Sequence, residues 1–255
     1  MAESHFDDWV AERYEQLWPH LFAPEVVGPT LDRLGELAGG GACLEFGIGT
    51  GRIGIPLSQR GVRVQGIELA QPMVRRLRAQ PGGDELEVTI GDFATTSVGG
   101  GFSLVYLLRN TITNLTTQEE QAACFRNAAD HLAPGGHFLV ENYVPQVQQL
   151  PPGETVRVFA AEPDHLAFED YDPAAQIAVS THYWVIDGEL RRFSSPHRYV
   201  WPEELDLMAK NAGLTLRHRW SDWHRNAFTG DSPSHISVWR KPSEPDEPIR
   251  RSPLD

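Results

Sequence analysis

The spacing of apolar positions changes character twice along the chain. Between residues 5 and 22, Phe6, Trp9, Val10, Tyr14, Leu17, Trp18 and Leu21 recur every three or four positions. That spacing predicts an amphipathic helix, stopped by Pro24. A second helix is predicted over 25–37, interrupted at Gly28-Pro29 and ended by Gly39, Gly40 and Gly41. From residue 42 onward, short apolar runs alternate with helical patterns. Strands are predicted at 42–46, 62–67, 86–90, 102–108 and 137–143, and helices at 51–60, 71–79 and 117–132. Pro134, Gly135 and Gly136 read as the turn before the fifth strand. Strands alternating with helices imply right-handed crossovers, a parallel sheet covered on both faces, and a ligand site at the carboxyl ends of the strands.

The pattern changes after Tyr143. Pro145, Pro151 and Pro152 mark an irregular connection. Four runs at 155–160, 165–171, 175–186 and 189–200 then read as strands rich in aromatic and β-branched residues. Asp187-Gly188 is a two-residue hairpin signal. A helix follows at 202–212, with Pro202 in its first turn and Gly213 after its end. Strands at 214–220 and 235–240 complete the pattern. The expected fold is α/β: a doubly wound, mainly parallel seven-stranded sheet with an antiparallel β insert at about 145–200, between strands five and six. It forms one domain over 1–241 with a helical cap at 1–38. Prolines and mixed charges from Pro242 predict a disordered tail over 242–255.

Composition narrows the partners. The 255 residues include 35 acidic and 22 basic side chains, for a net charge of -13. That surface repels phosphate backbones, and no basic run offsets it, so nucleic acid is excluded as the expected partner. Cys43 and Cys124 fall in an apolar strand and a helical pattern, and read as two buried thiols. Glu3, Asp7 and Asp8 stand where a secretory leader would be basic. No run approaches the ~20 apolar residues of a membrane span. The expectation is a cytoplasmic protein, monomer or homodimer, with a small molecule or short peptide as partner.

The candidate chemistry centres on Ala42–Gly54, A-C-L-E-F-G-I-G-T-G-R-I-G. A strand runs into Gly47, Gly49 and Gly51, and then into a helix start. Such a turn brings backbone N–H groups close to a ligand. Two nucleotide-like cofactors fit it. Gly49-x-Gly51-x-x-Gly54, with Glu68 ending the next strand, satisfies the dinucleotide fingerprint and keeps an NAD-dependent oxidoreductase open. Glu45 at the strand end, Gly91-Asp92-Phe93 after the third strand, and H-L-A-P-G-G-H-F-L-V-E at 131–141 favour S-adenosylmethionine. With these motifs the chain resembles the class I S-adenosylmethionine-dependent methyltransferases of small-molecule type. The likeness covers most of 25–144 and, more loosely, 200–241, and implies a Rossmann-like fold.

That resemblance also implies roles. Glu45, Gly47, Gly49 and Gly51 would hold the methionine part of the cofactor. Glu68 would pair with both ribose hydroxyls, since a carboxylate has two acceptor oxygens. Leu69 and Met73 would border the adenine, and Asp92 and Phe93 would recognise it. Leu108 and Asn110, after the fourth strand, would position donor and acceptor. Apart from the resemblance, the aromatic first helix either covers the sheet or lids the cofactor pocket with Tyr14 or Trp18 facing the ligand.

Acceptor residues come from the residue types alone. His182 and Tyr143 are the catalytic candidates: His182 because imidazole titrates near neutrality, Tyr143 because it ends the fifth strand. Trp184 shares the strand face of His182, while Arg198, Trp201 and His224 leave the insert or the last loop; these four are the substrate-binding candidates. Aromatic walls suit a cationic amine, which favours N-methylation over O-methylation while leaving both open. No histidine cluster with ligand spacing is present, so no metal is expected.

Overall fold

The computed structural model describes residues 6–243. Seven strands form one sheet: β1 (Cys43–Phe46), β2 (Val64–Glu68), β3 (Glu87–Ile90), β4 (Phe102–Leu107), β5 (Leu132–Tyr143), β10 (Thr215–Trp220) and β11 (Ser234–Arg240). Their spatial order is β10-β11-β5-β4-β1-β2-β3. β1 to β5 pair in parallel, and β11 is antiparallel to both β5 and β10. This is the doubly wound, mainly parallel sheet expected. The order reverses between β1 and β4, where such a sheet opens a ligand crevice at its carboxyl edge.

Six helices accompany the sheets: α1 (Asp8–Leu17), α2 (Pro24–Ala38), α3 (Gly54–Gln59), α4 (Gln71–Arg78), α5 (Gln118–His131) and α6 (Pro202–Asn211). The main sheet buries an apolar layer on each face. Phe46, Phe125, Phe138 and Trp239 pack with the residues of α5 and α6 on one side. Leu34, Leu57, Leu77 and Tyr106 pack on the other. α5 starts on a capping box: Thr117 accepts from the Glu120 N–H while Glu120 accepts from the Thr117 N–H.

The insert is a separate antiparallel sheet of β6 (Val156–Glu162), β7 (His165–Asp172), β8 (Ile177–Ile186) and β9 (Glu189–Arg198). Asp187 and Gly188 both adopt positive φ, as a tight hairpin turn between β8 and β9 requires. α1 joins insert and core. Val10 and Leu17 pack on Trp184 of the insert, while Ala11 packs on Ala70 and Met73 of the core.

Three local expectations change. The first helix ends at Leu17, before Pro24, because Pro19 cannot continue it; a single 3-10 turn over Pro19–Phe22 follows. α2 runs unbroken through Pro29, whose missing N–H frees a carbonyl at exposed Glu25, within reach of water. Pro134, Gly135 and Gly136 form no turn before β5. They lie inside the strand as an irregularity in the pairing, since Leu132 faces Phe102 and the next pairing, with Leu104, comes only at His137. The predicted tail falls outside the described residues from 244 onward. Cys43 and Cys124 are free, buried thiols.

Candidate active site

β1 ends in Phe46, and the chain turns at once. Gly47 takes φ 66°, and a Cβ there would stand 2.9 Å from Thr111 Cγ2. Gly51 takes φ 82°, and a Cβ there would stand 2.7 Å from Ile55 Cδ1. Side chains are therefore disfavoured twice over, by backbone conformation and by space. The turn opens a cleft at the carboxyl ends of β1, β2 and β4. Glu45, Gly47 and Gly49 line its floor, and Glu68, Leu69 and Met73 line one side. Asp92, Phe93 and Leu108 line the other side, and Tyr14 reaches in from α1. Ten of the twelve predicted cofactor residues thus meet in one cleft.

The remaining two do not line it. Gly51 packs against Ile55 and Leu77 behind the turn, so it shapes the loop without forming its wall. Asn110 adopts φ 62°, and its Oδ1 accepts from the Tyr143 N–H at 2.8 Å. That bond ties the loop after β4 to the end of β5 and turns Asn110 toward a second cavity.

The acids of the cleft are held by donors. Glu68 Oε2 accepts from the Gly49 N–H at 2.9 Å and Oε1 from the Ala70 N–H at 2.8 Å. The carboxylate therefore braces the glycine turn, and each oxygen keeps a lone pair toward the cleft. Burial raises its pKa, and these backbone donors oppose the rise. Glu45 accepts from the Tyr106 hydroxyl at 3.0 Å and from the Gly54 N–H. Burial pushes it up to about 8. Asp92 Oδ1 accepts from the Ala94 N–H at 2.8 Å, which closes the turn after β3. Arg52 and Thr50 are among the lining residues that sequence reasoning did not single out. Arg52 lies near Glu45, Glu141 and Tyr14, and burial lowers its pKa. Thr50 carries a buried Oγ1 with no hydrogen-bond partner among the described residues.

A second cavity continues from the cleft. Tyr14, Arg109, Thr111 and Asn114 line both. Trp18, Tyr143, His182 and Phe193 form its walls, with Glu169, Ser180, Ser195 and His197 on the insert face. His182 Nδ1 bonds to His165 Nε2 at 2.9 Å. Burial, and then the neighbouring His165 and His197, lower the His182 pKa to about 4. Its imidazole is neutral at pH 7. Burial, followed by the charge of Glu169, holds the Tyr143 hydroxyl well above the usual tyrosine range. His197 lies between Ser195 Oγ at 2.8 Å and Thr113 Oγ1 at 3.3 Å.

The four substrate-binding candidates do not line this cavity. Trp184 is buried behind it, stacked on His182 and packed by Trp18. Arg198 is buried in an ion pair with Glu204 at 2.7 Å and donates to Gln121, so it anchors the insert to α5 and α6. Trp201 is the N-cap position of α6. His224 is exposed in a loop closed by Asp222, which accepts from its N–H at 2.9 Å. Large polar or aromatic side chains near the insert drew attention in sequence. Their tertiary partners took them elsewhere.

Residues 43–136 match the methyltransferase domain family. The chain is 36% identical to the CcbJ methyltransferase of Streptomyces caelestis, covering 84% of this chain and 89% of that one, with a TM-score of 0.76. The chain belongs to the S-adenosylmethionine-dependent methyltransferases. Over 182 residues, 69% of this chain and 74% of its relative, the methyltransferase is 28% identical to a cypemycin N-terminal methyltransferase of a Streptomyces species. The fold is shared with CalS10, an amino pentose methyltransferase from Micromonospora echinaspora solved with S-adenosylmethionine bound; 85% of this chain and 90% of that one align at 19% identity and a TM-score of 0.65. The oxidoreductase reading falls with this assignment. Gly54 opens α3 and allows close packing on Ile48, a role that fits both cofactor readings, so the family match decides between them.

The cleft of the methyltransferase suits the cofactor chemically. Its acids face a ligand that carries an ammonium and a sulfonium, and the unpaired Thr50 hydroxyl offers a further polar contact. When bound, S-adenosylmethionine supplies a methyl group already activated for displacement. Among the described residues no helix is long and apolar enough to cross a membrane.

Proposed function

We propose that this methyltransferase places the methyl group on an amine nitrogen of a small-molecule or short-peptide acceptor. The observation that carries the reading is the second cavity. It opens from the cofactor cleft through Tyr14, Arg109, Thr111 and Asn114, and its walls are aromatic. Aromatic faces attract cationic amines. The relative named for N-terminal methylation supports the same atom type.

The reaction is an in-line displacement. The lone pair of a neutral amine forms the new N–C bond, the S–C electron pair stays on the sulfur of S-adenosylhomocysteine, and the proton lost from nitrogen passes to water. The protein's share is to orient the acceptor and exclude water. Glu45, Glu68, Asp92 and the glycine turn hold the donor side. α1 covers the junction, with Tyr14 and Trp18 facing inward. His182 is neutral but weakly basic at about 4, so it suits hydrogen bonding to the acceptor better than proton removal. Its Nδ1 is taken by His165, which leaves Nε2 for that contact. Tyr143 is a poor base for the opposite reason, since its hydroxyl stays protonated, and it serves as a donor.

The test is turnover with matched acceptors: small secondary amines, short peptides with a free N-terminus, and phenols of similar size. Mass spectrometry reads one methyl group added. Modification of the amines and peptides supports the reading. Modification of the phenols alone sinks it.

A further inference from the structure

The acceptor cavity has one feature that methyl transfer itself does not use. Glu169 is the single acid lining it among the described residues. It stands on β7 directly opposite Ser180 of β8, which in turn faces Ser195 of β9. These residues share the sheet face turned to the cavity. The carboxylate is fixed from two sides. The Ser180 hydroxyl donates to Oε1 at 3.2 Å, and the Tyr171 hydroxyl donates to Oε2. Each oxygen retains acceptor capacity.

Among the described residues no cation forms an ion pair with it. Arg157 is opposite Glu169 on β6 but is exposed, approaches Tyr171, and forms no ion pair with Glu169. Arg109 lines the cavity where it meets the cofactor cleft and forms no ion pair with Glu169 among the described residues; its backbone N–H donates to the Glu141 side chain at 2.9 Å. Across from Glu169, the Tyr143 hydroxyl is buried and has no hydrogen-bond partner among the described residues. It feels the charge of Glu169 without bonding to it. A buried hydroxyl left unpaired is costly, and Glu169 has two hydroxyl donors but no counter-charge. One entering group supplies what both lack: a nitrogen cation, which donates one N–H to the carboxylate and can donate another to the Tyr143 hydroxyl oxygen.

We propose that Glu169 is the specificity-determining anchor of the acceptor site, receiving the acceptor nitrogen in its protonated form before that proton is lost for attack, so that the substrates are amines or peptides with a free α-amino group that bind as cations. This rests on the N-methylation reading for its choice of substrate, but its evidence is the carboxylate and its surroundings. Tyr14, Trp18 and Phe193 complete the environment of a cation with an apolar body.

The test uses the full chain saturated with S-adenosylhomocysteine and a shape-matched pair of probes that differ in charge, 2-phenylethylamine and 2-phenylethanol. Calorimetry or ligand-observed NMR reads the two affinities. The intact protein is expected to prefer the amine by about tenfold or more, in line with a hydrogen bond to a charged group. Glu169→Gln should erase the preference while leaving S-adenosylhomocysteine affinity and Tm unchanged. Glu169→Asp should restore part of it. Equal binding of the two probes, no binding of the amine, or a preference that survives in Glu169→Gln overturns the proposal. The atom methylated is read separately. An amine preference accompanied by O-methylation would refute the N-methylation reading and leave the anchor standing. N-methylation indifferent to Glu169 would do the reverse.

Discussion

Cofactor binding should release a proton from Glu45. The carboxyl is buried at the end of β1, and its pKa stands at about 8 against an ordinary 4.5. At pH 7 roughly nine in ten copies of the ligand-free protein carry the proton. A cation at about 4 Å, at an effective dielectric near 20, stabilises the ionised form by about 4 kcal/mol, or roughly three pKa units. The ammonium of S-adenosylhomocysteine would therefore bring Glu45 to a pKa of about 5, and binding at pH 7 would expel about 0.9 of a proton. The sign follows: affinity rises with pH, by up to tenfold per unit, between about 5 and 8, and levels off above. The same shift makes the ligand-free fold lose stability as pH rises from 4.5 toward 8, since the unfolded chain ionises this group first. The assay is titration calorimetry at pH 7 in buffers of different ionisation enthalpy. The slope of measured enthalpy against buffer enthalpy counts protons. Glu45→Gln should remove most of the release and flatten the pH dependence. Glu68 is also raised by burial, so the variant is the deciding arm. No buffer dependence in the intact protein, or an unchanged slope in Glu45→Gln, refutes the reasoning.

Glu68→Ala should weaken S-adenosylhomocysteine binding about tenfold or more, because it removes a charged acceptor and frees the Gly49 and Ala70 N–H groups it holds; unchanged affinity in calorimetry would remove it from the site. His182→Ala should lower kcat on the true acceptor while sparing cofactor affinity. Because the imidazole is held at about 4, the rate profile should lack an acid limb near 6.5 that disappears in this variant. Arg198→Ala should destabilise the fold by about 3–5 kcal/mol, as breakage of a buried ion pair leaves Glu204 uncompensated. Denaturant unfolding reads that loss, and a change under 1 kcal/mol would show the pair to be dispensable.

The core was legible because its signals are local. Strand–helix alternation from β1 to β5 and the glycines of 47–51 need only nearest-neighbour geometry, and Glu68 and Asp92 fall at strand ends set by that alternation. The acceptor site was less legible because it is built across the insert. Its register was nevertheless recoverable in part. The Asp187-Gly188 turn puts Ile186 opposite Glu189, and counting back pairs His182 with Phe193 and Ser180 with Ser195. Glu169 lies one strand further, where register depends on a longer turn and a tertiary fit. Arg198 misled for a related reason. Its partners Gln121 and Glu204 come from two helices whose docking onto the insert leaves no local trace.

Nitrogen as the methyl acceptor is the central proposal, and one molecule can put that question internally. A tyramine-type probe offers an amine and a phenol of comparable reach. Incubated with the full chain and a methyl-labelled S-adenosylmethionine, it is expected to gain the labelled methyl on nitrogen, seen in the NMR spectrum of the product. Label on the phenolic oxygen with the amine untouched would contradict the account.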